Sequence, residues 1–172
     1  MLLRFTTTLL IFLALMGCGR QNLKKDLTYE PGNPLVSEGK WSALHESIDQ
    51  KRLSETMDLI KKGVNVKVIS SSPKEHKITP LHLAVKRELF DIAKLLIEKG
   101  ARVNAEMSTG ATPLHVAVET KQIEMVKLLL EHGANPRLES FYVHSPLKIA
   151  ENAGHTEILK LLEKQTNQVT QP

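Results

Sequence analysis

Thr79-Pro80-Leu81-His82-Leu83-Ala84-Val85 returns as Thr112-Pro113-Leu114-His115-Val116-Ala117-Val118, and again as Ser145-Pro146-Leu147-Lys148-Ile149-Ala150. The step is 33 residues each time, from Leu81 to Leu114 to Leu147. A fainter copy, Ser42-Ala43-Leu44-His45, stands 37 residues before Leu81. The downstream halves recur in the same step: Asp91 to Gly100 aligns with Glu124 to Gly133, and Glu157 to Leu162 begins a further copy. Self-similarity at a fixed period of this size is the mark of stacked supersecondary units.

Each repeated position has a physical use. Ser42, Thr79, Thr112 and Ser145 can cap a helix by accepting from an orphan backbone N–H. Pro80, Pro113 and Pro146 fall at the first helical position, where the missing N–H costs nothing. Leu81 and Ala84 share one face of a short helix, and the small Ala lets a neighbouring helix approach. Gly100 and Gly133 follow a second helical stretch and suit a left-handed C-cap. The distances Leu44 to Gly63, Leu81 to Gly100 and Leu114 to Gly133 are all 19 residues, so the four extra residues of the first interval lie between Gly63 and Thr79. In the last copy Thr166 replaces the glycine, and the helix is expected to fray or end there.

This pattern closely resembles the ankyrin repeat, whose signature includes T-P-L-H-x-A at a 33-residue period. The resemblance implies an all-α solenoid of four helix-turn-helix repeats joined by hairpin loops. It spans residues 41–166, divided at about 41–77, 78–110, 111–143 and 144–166, with 167–172 as a disordered tail. The end copies are altered toward polarity. Glu46, Glu55 and Asp58 in the first, and Lys148, Glu151 and Glu163 in the last, stand where the middle copies are less polar. Terminal repeats need such an outer face, so these two read as caps. In the ankyrin family the recurring histidine (His45, His82, His115) hydrogen-bonds within and between repeats. Stacked helices lie ~8–10 Å apart, too far for one metal to join neighbouring imidazoles. His155, in a G-H-x-E turn, is structural by the same resemblance.

The N-terminus has a different character. Arg4 precedes a mostly apolar run that ends in Leu9 to Met16, eight residues without a polar side chain. That is the order of a secretory signal, and it is too short for a permanent span of ~20 residues. Leu15-Met16-Gly17-Cys18 resembles the lipobox of bacterial lipoproteins, with Met16 a less usual choice. The resemblance implies cleavage of residues 1–17 and acylation of Cys18, whose chains would anchor the protein at ~0.8 kcal/mol per buried methylene. Gly19, in place of a retention Asp, implies the outer rather than the inner membrane. Residues 18–40, with Pro31-Gly32-Asn33-Pro34, show no periodicity and read as a lipidated Cys and tether. About 22 flexible residues span roughly 25 Å.

Composition narrows the function. Cys18 is the only cysteine of 172 residues, which excludes an internal disulfide and a cysteine-rich zinc module. A net charge of +4 is too weak and diffuse for a nucleic-acid partner. The sequence holds no phosphate-binding glycine loop, no H-E-x-x-H and no G-x-S-x-G. The expectation is therefore a non-catalytic monomer without cofactor or metal.

Its partner-binding residues are expected on the inter-repeat fingers, about Val64–Ile78, Ala101–Ala111 and Ala134–His144. The candidates are Lys74, His76 and Lys77 on the first, Arg102 and Met107 on the second, and Arg137, Phe141, Tyr142 and His144 on the third. Aromatic and Arg residues dominate interface hot spots, and Phe141-Tyr142 is an adjacent pair in a chain with 4% aromatics. Trp41 is expected to staple the N-terminal cap. Together these features predict a lipid-anchored, periplasm-facing lipoprotein that binds an unidentified periplasmic or membrane-associated protein. Two alternatives are an immunity lipoprotein that neutralises a cognate periplasmic toxin, such as a phospholipase, and an accessory factor in envelope stress defence or assembly.

Overall fold

A computed structural model describes residues 42–70, 77–140 and 142–169. Cys18, Trp41, Lys74, His76 and Phe141 lie outside the described residues, as do residues 1–17, expected to be a signal, and 18–40, expected to be a tether. The described residues form eight helices in four antiparallel pairs. These are α1 (Ala43–Asp49) with α2 (Leu53–Lys61), α3 (Pro80–Lys86) with α4 (Phe90–Glu98), α5 (Pro113–Glu119) with α6 (Ile123–Glu131), and α7 (Pro146–Asn152) with α8 (Thr156–Val169). The odd-numbered helices pack in one row, α1 on α3 on α5 on α7; α2 packs on α4, and α6 on α8.

Local chemistry sets the helix starts. The hydroxyl oxygens of Ser42, Thr79 and Ser145 accept from the amides of His45, His82 and Lys148. The prolines occupy the first turn of α3, α5 and α7. Gly63, Gly100 and Gly133 end α2, α4 and α6 at φ of 83°, 85° and 83°. The core is aliphatic. Leu44, Leu81, Ala84, Leu96, Leu114, Ala117, Leu129, Ala150 and Leu162 have no exposed surface and form one continuous cluster with their neighbours. Small and branched aliphatic side chains suffice because each layer is only two helices deep, which explains the scarcity of aromatics. At the ends, Glu46, Glu55, Asp58, Lys148, Glu151 and Glu163 are all exposed.

Two features depart from the sequence expectation. The last helix does not end at Thr166, and residues 167–169 are helical rather than tail. No glycine stops it, and the Thr166 hydroxyl donates to the Leu162 carbonyl at 2.8 Å, a bond compatible with continued helix. The second is backbone strain at the turn inside each pair. Lys51, Glu88 and Lys121 adopt left-handed backbone at φ of 55°, 60° and 56°, at the position that Gly154 fills in the fourth pair.

A non-glycine residue in left-handed backbone costs roughly 1–2 kcal/mol, against the ~0.5–1 kcal/mol entropic cost of a glycine. Lys121→Gly is thus expected to raise the unfolding free energy by about 0.5–1 kcal/mol in urea titration. An unchanged or lower midpoint would show that the side chain compensates for the strain.

Candidate finger interface

Each finger connects the end of an even-numbered helix to the next capping residue. In the first, the Ser70 amide donates to the Ile78 carbonyl at 2.9 Å. In the second, the Met107 amide donates to the Ala111 carbonyl at 2.8 Å. These are equivalent bonds, so the extra residues of the first interval fall between Ser70 and Ile78. Gly110, at φ 85°, permits the tight second turn.

The same two carbonyls accept from buried histidines of the preceding pair. His45 Nε2 donates to Ile78 O at 3.0 Å, and His82 Nε2 to Ala111 O at 3.2 Å. A carbonyl can only accept, which fixes the proton on Nε2. Nδ1 then accepts from the capping hydroxyl, Ser42 at 2.8 Å and Thr79 at 2.9 Å. Both rings must be neutral for this arrangement. Burial enforces it, taking His45 and His82 from the ordinary 6.5 to about 4 against the opposing pull of their carbonyl partners.

The third finger breaks the pattern. Val143 stands where the second finger has Gly110, and it does not take left-handed backbone. The Ser140 amide therefore closes on Val143 O at 3.0 Å, one residue short of the equivalent of Ala111, which is His144. His115 still accepts at Nδ1 from the Thr112 hydroxyl at 2.8 Å and amide at 2.9 Å. Its buried Nε2 meets no partner with hydrogen-bond geometry among the described residues. The carbonyls of Leu138 and His144 lie near enough to favour the charged ring, yet burial outweighs them and holds its pKa below 6.5.

The third finger is instead fastened sideways to the second. Ser140 Oγ donates to Thr109 O at 2.8 Å, and its side chain lies where a Cβ on Gly110 would be. Asn104 donates through Nδ2 to Gly133 O and accepts the Asn135 amide, both at 2.9 Å. Away from the fingers, Gln122 donates to Val85 O at 2.9 Å, and half-buried Arg87 pairs with Asp49. None of these inter-repeat bonds was expected from sequence. Their signal, a polar residue at one register position of a single repeat, is too common to read without coordinates.

A family model described as Ankyrin repeats matches three times, over residues 10–107, 44–140 and 105–171. The chain belongs to the ankyrin-repeat family. No curated protein matches it. Ankyrin repeats are protein–protein interaction scaffolds and typically non-catalytic.

Within this ankyrin stack the candidate residues are spread over three successive fingers. Arg102, Arg137, His144 and Lys77 are exposed, and Met107 is half-buried against the core. Tyr142 is 78% exposed, the most open of the large apolar or aromatic side chains described. Its amide donates to Ser140 Oγ at 3.2 Å, so the tip is held to the residue that joins the two fingers. A cavity of about 280 Å³ opens beside Arg137, bounded by Pro136, Gln165 and Thr166, against the last helix. Among the described residues no group of three or more His, Cys, Asp or Glu could hold a metal, and no helix is long and apolar enough to cross a membrane.

The buried histidines give the stack a pH dependence. The unfolded chain takes up protons below pH 6.5, whereas folded His45 and His82 resist them down to about 4. Stability is then full above pH 6.5 and falls as the pH drops toward 4. Thermal midpoints should decline across that window, and a His45→Gln, His82→Gln variant should show a flatter slope. An equal slope in the variant would assign the acid sensitivity elsewhere.

Proposed function

We propose that this ankyrin protein is a lipoprotein of the bacterial envelope, anchored through acyl chains on Cys18 and facing the periplasm from the outer membrane. It binds a protein partner there through its second and third fingers. The observation that carries the binding surface is Tyr142, 78% exposed at the tip of a finger that is bonded laterally to its neighbour. A large aromatic on a pre-ordered loop contributes contact area at little entropic cost on binding. Arg102 on the second finger and Arg137 on the third are both exposed and available for carboxylates. The mechanism is recognition by a rigid surface, with no covalent step. The lipobox resemblance supports the anchor, and a tether of about 22 residues gives the stack room to meet a partner near the membrane.

Crosslinking in intact cells tests both parts. A Phe141→Ala, Tyr142→Ala variant should lose its partner adduct, since truncation of a hot spot costs about 2 kcal/mol or more. Lys127→Ala, on α6, should keep it. Cys18→Ala should leave the secreted chain in the soluble fraction. An adduct that survives loss of both aromatics rejects this finger as the hot spot. A Cys18→Ala chain that still pellets with membranes rejects the lipid anchor.

A further inference from the structure

One register position on the fingers reaches toward the next repeat. It is the fourth residue after the glycine that ends α2, α4 and α6: Lys67, Asn104 and Arg137. Lys67 extends until its Cε lies beside Gly100 of the following repeat. Asn104 donates to Gly133 O and accepts the Asn135 amide, both at 2.9 Å. One step of 33 residues further, Thr166 stands where Gly100 and Gly133 stand. There α8 stays helical through Val169 instead of turning into a finger base. Arg137 therefore meets a cavity of about 280 Å³, with residues 133–137 on one side and Gln165 and Thr166 on the other.

The cavity gathers donors, and none of the residues that bound it is acidic. Arg52 and Arg87 each pair with a carboxylate. The Arg137 guanidinium has no such partner among the described residues, and Glu139, the nearest acidic residue in sequence, forms no pair with it there. Only the Arg137 backbone amide is engaged, donating to Asn135 Oδ1 at 2.9 Å. That turn uses the oxygen of Asn135 and leaves its Nδ2 donor unpaired among the described residues. The side-chain amide of Gln165, half-buried on the far wall, is likewise unpaired among them. Between these donors the lining is apolar. Ala134 and Pro136 are buried, and the space at the Cβ position of Gly133 is open.

We infer that this cavity seats an acidic side chain of the protein partner, its carboxylate held by the Arg137 guanidinium with help from the Asn135 and Gln165 amides. A planar guanidinium presents paired N–H groups that match the two oxygens of a carboxylate. The lining at Ala134 and Pro136 takes the methylenes that carry the acid. At about 280 Å³ the space sits at the lower bound of small-molecule pockets, about 300 Å³. That suits one side chain rather than a nucleotide or a lipid headgroup. The inference rests on the reading of the third finger as a partner surface, and it names what the partner brings to that surface.

The test uses the chain from residue 18 onward with Cys18→Ser, which carries every described residue and no acyl chain. A capped Ala-Ala-Glu-Ala-Ala peptide is titrated into it and followed by amide NMR. The signals of Gly133, Ala134, Asn135 and Arg137 should shift saturably. The same peptide with glutamine for glutamate should bind about tenfold more weakly. Arg137→Gln should remove the preference for glutamate with helical circular dichroism retained, Arg137→Lys should recover part of it, and Lys127→Gln should leave it intact. In cells, Arg137→Gln should weaken the crosslinked adduct. The absence of saturable shifts, or equal binding of the two peptides, overturns the inference. Equal binding of a glutamate-free peptide with an uncapped C-terminus also overturns it, and assigns the cavity to a chain end. An adduct that needs Phe141 and Tyr142 but survives Arg137→Gln overturns it while the finger reading stands. Failure of the finger reading shows separately, in an adduct that survives loss of both aromatics.

Discussion

Two carbonyl oxygens, those of Ile78 and Ala111, hold neighbouring repeats and their fingers together. Each accepts the amide that closes its own finger and the Nε2 proton of a buried histidine from the preceding pair. The residue that follows each carbonyl is the threonine that starts the next helix. One acceptor therefore fixes three things: the shape of the finger, the seat of the earlier helix pair and the start of the later one. The Nδ1 side, which accepts from the capping hydroxyl, needs a neutral ring, and burial supplies that condition. A charged imidazole in the same place would carry an uncompensated charge in the core.

The third junction lacks this bond among the described residues, and the proposed binding surface lies there. With Val143 at the position of Gly110 the turn closes one residue earlier, and the Leu138 and His144 carbonyls attract His115 Nε2 without meeting it in hydrogen-bond geometry. A buried unsatisfied donor costs about 1–3 kcal/mol. The lateral bonds from Ser140 and Asn104 offset part of it and tie the third finger to the second. The result is a finger supported from the side rather than from within, with Tyr142 facing outward. The first finger, by contrast, is closed by the bond between Ser70 and Ile78.

The sequence made the repeat legible because its constraints are local and repeated. A cap hydroxyl, a proline and a glycine at fixed spacing mark each pair, and the aliphatic positions between them proved to be the buried ones. The polar substitutions that mark the end repeats are exposed for the same reason. What stayed hidden depends on where backbone lies in space. His115 carries the same motif as His82, yet only the path of a finger some 30 residues away decides whether its Nε2 finds an acceptor. The left-handed turns at Lys51, Glu88 and Lys121 were masked by side chains that do not announce a positive φ. The run of α8 past Thr166 is not legible because no stop signal marks where that helix ends. Of the candidate site residues, exposure of Tyr142, Arg102 and Arg137 follows from their place on loops, whereas the lateral fastening of their fingers does not.

The first two junctions are closed by histidine bonds and the third is open. Nitrogen-resolved NMR of the imidazole protons tests it most directly. His45 and His82 should show neutral rings protonated at Nε2, with downfield protons that exchange slowly with solvent. His115 should be neutral as well, with an Nε2 proton that is neither shifted downfield nor protected to the same degree. Three equivalent, equally protected histidine protons would contradict the account, and so would an Nδ1-protonated His45 or His82.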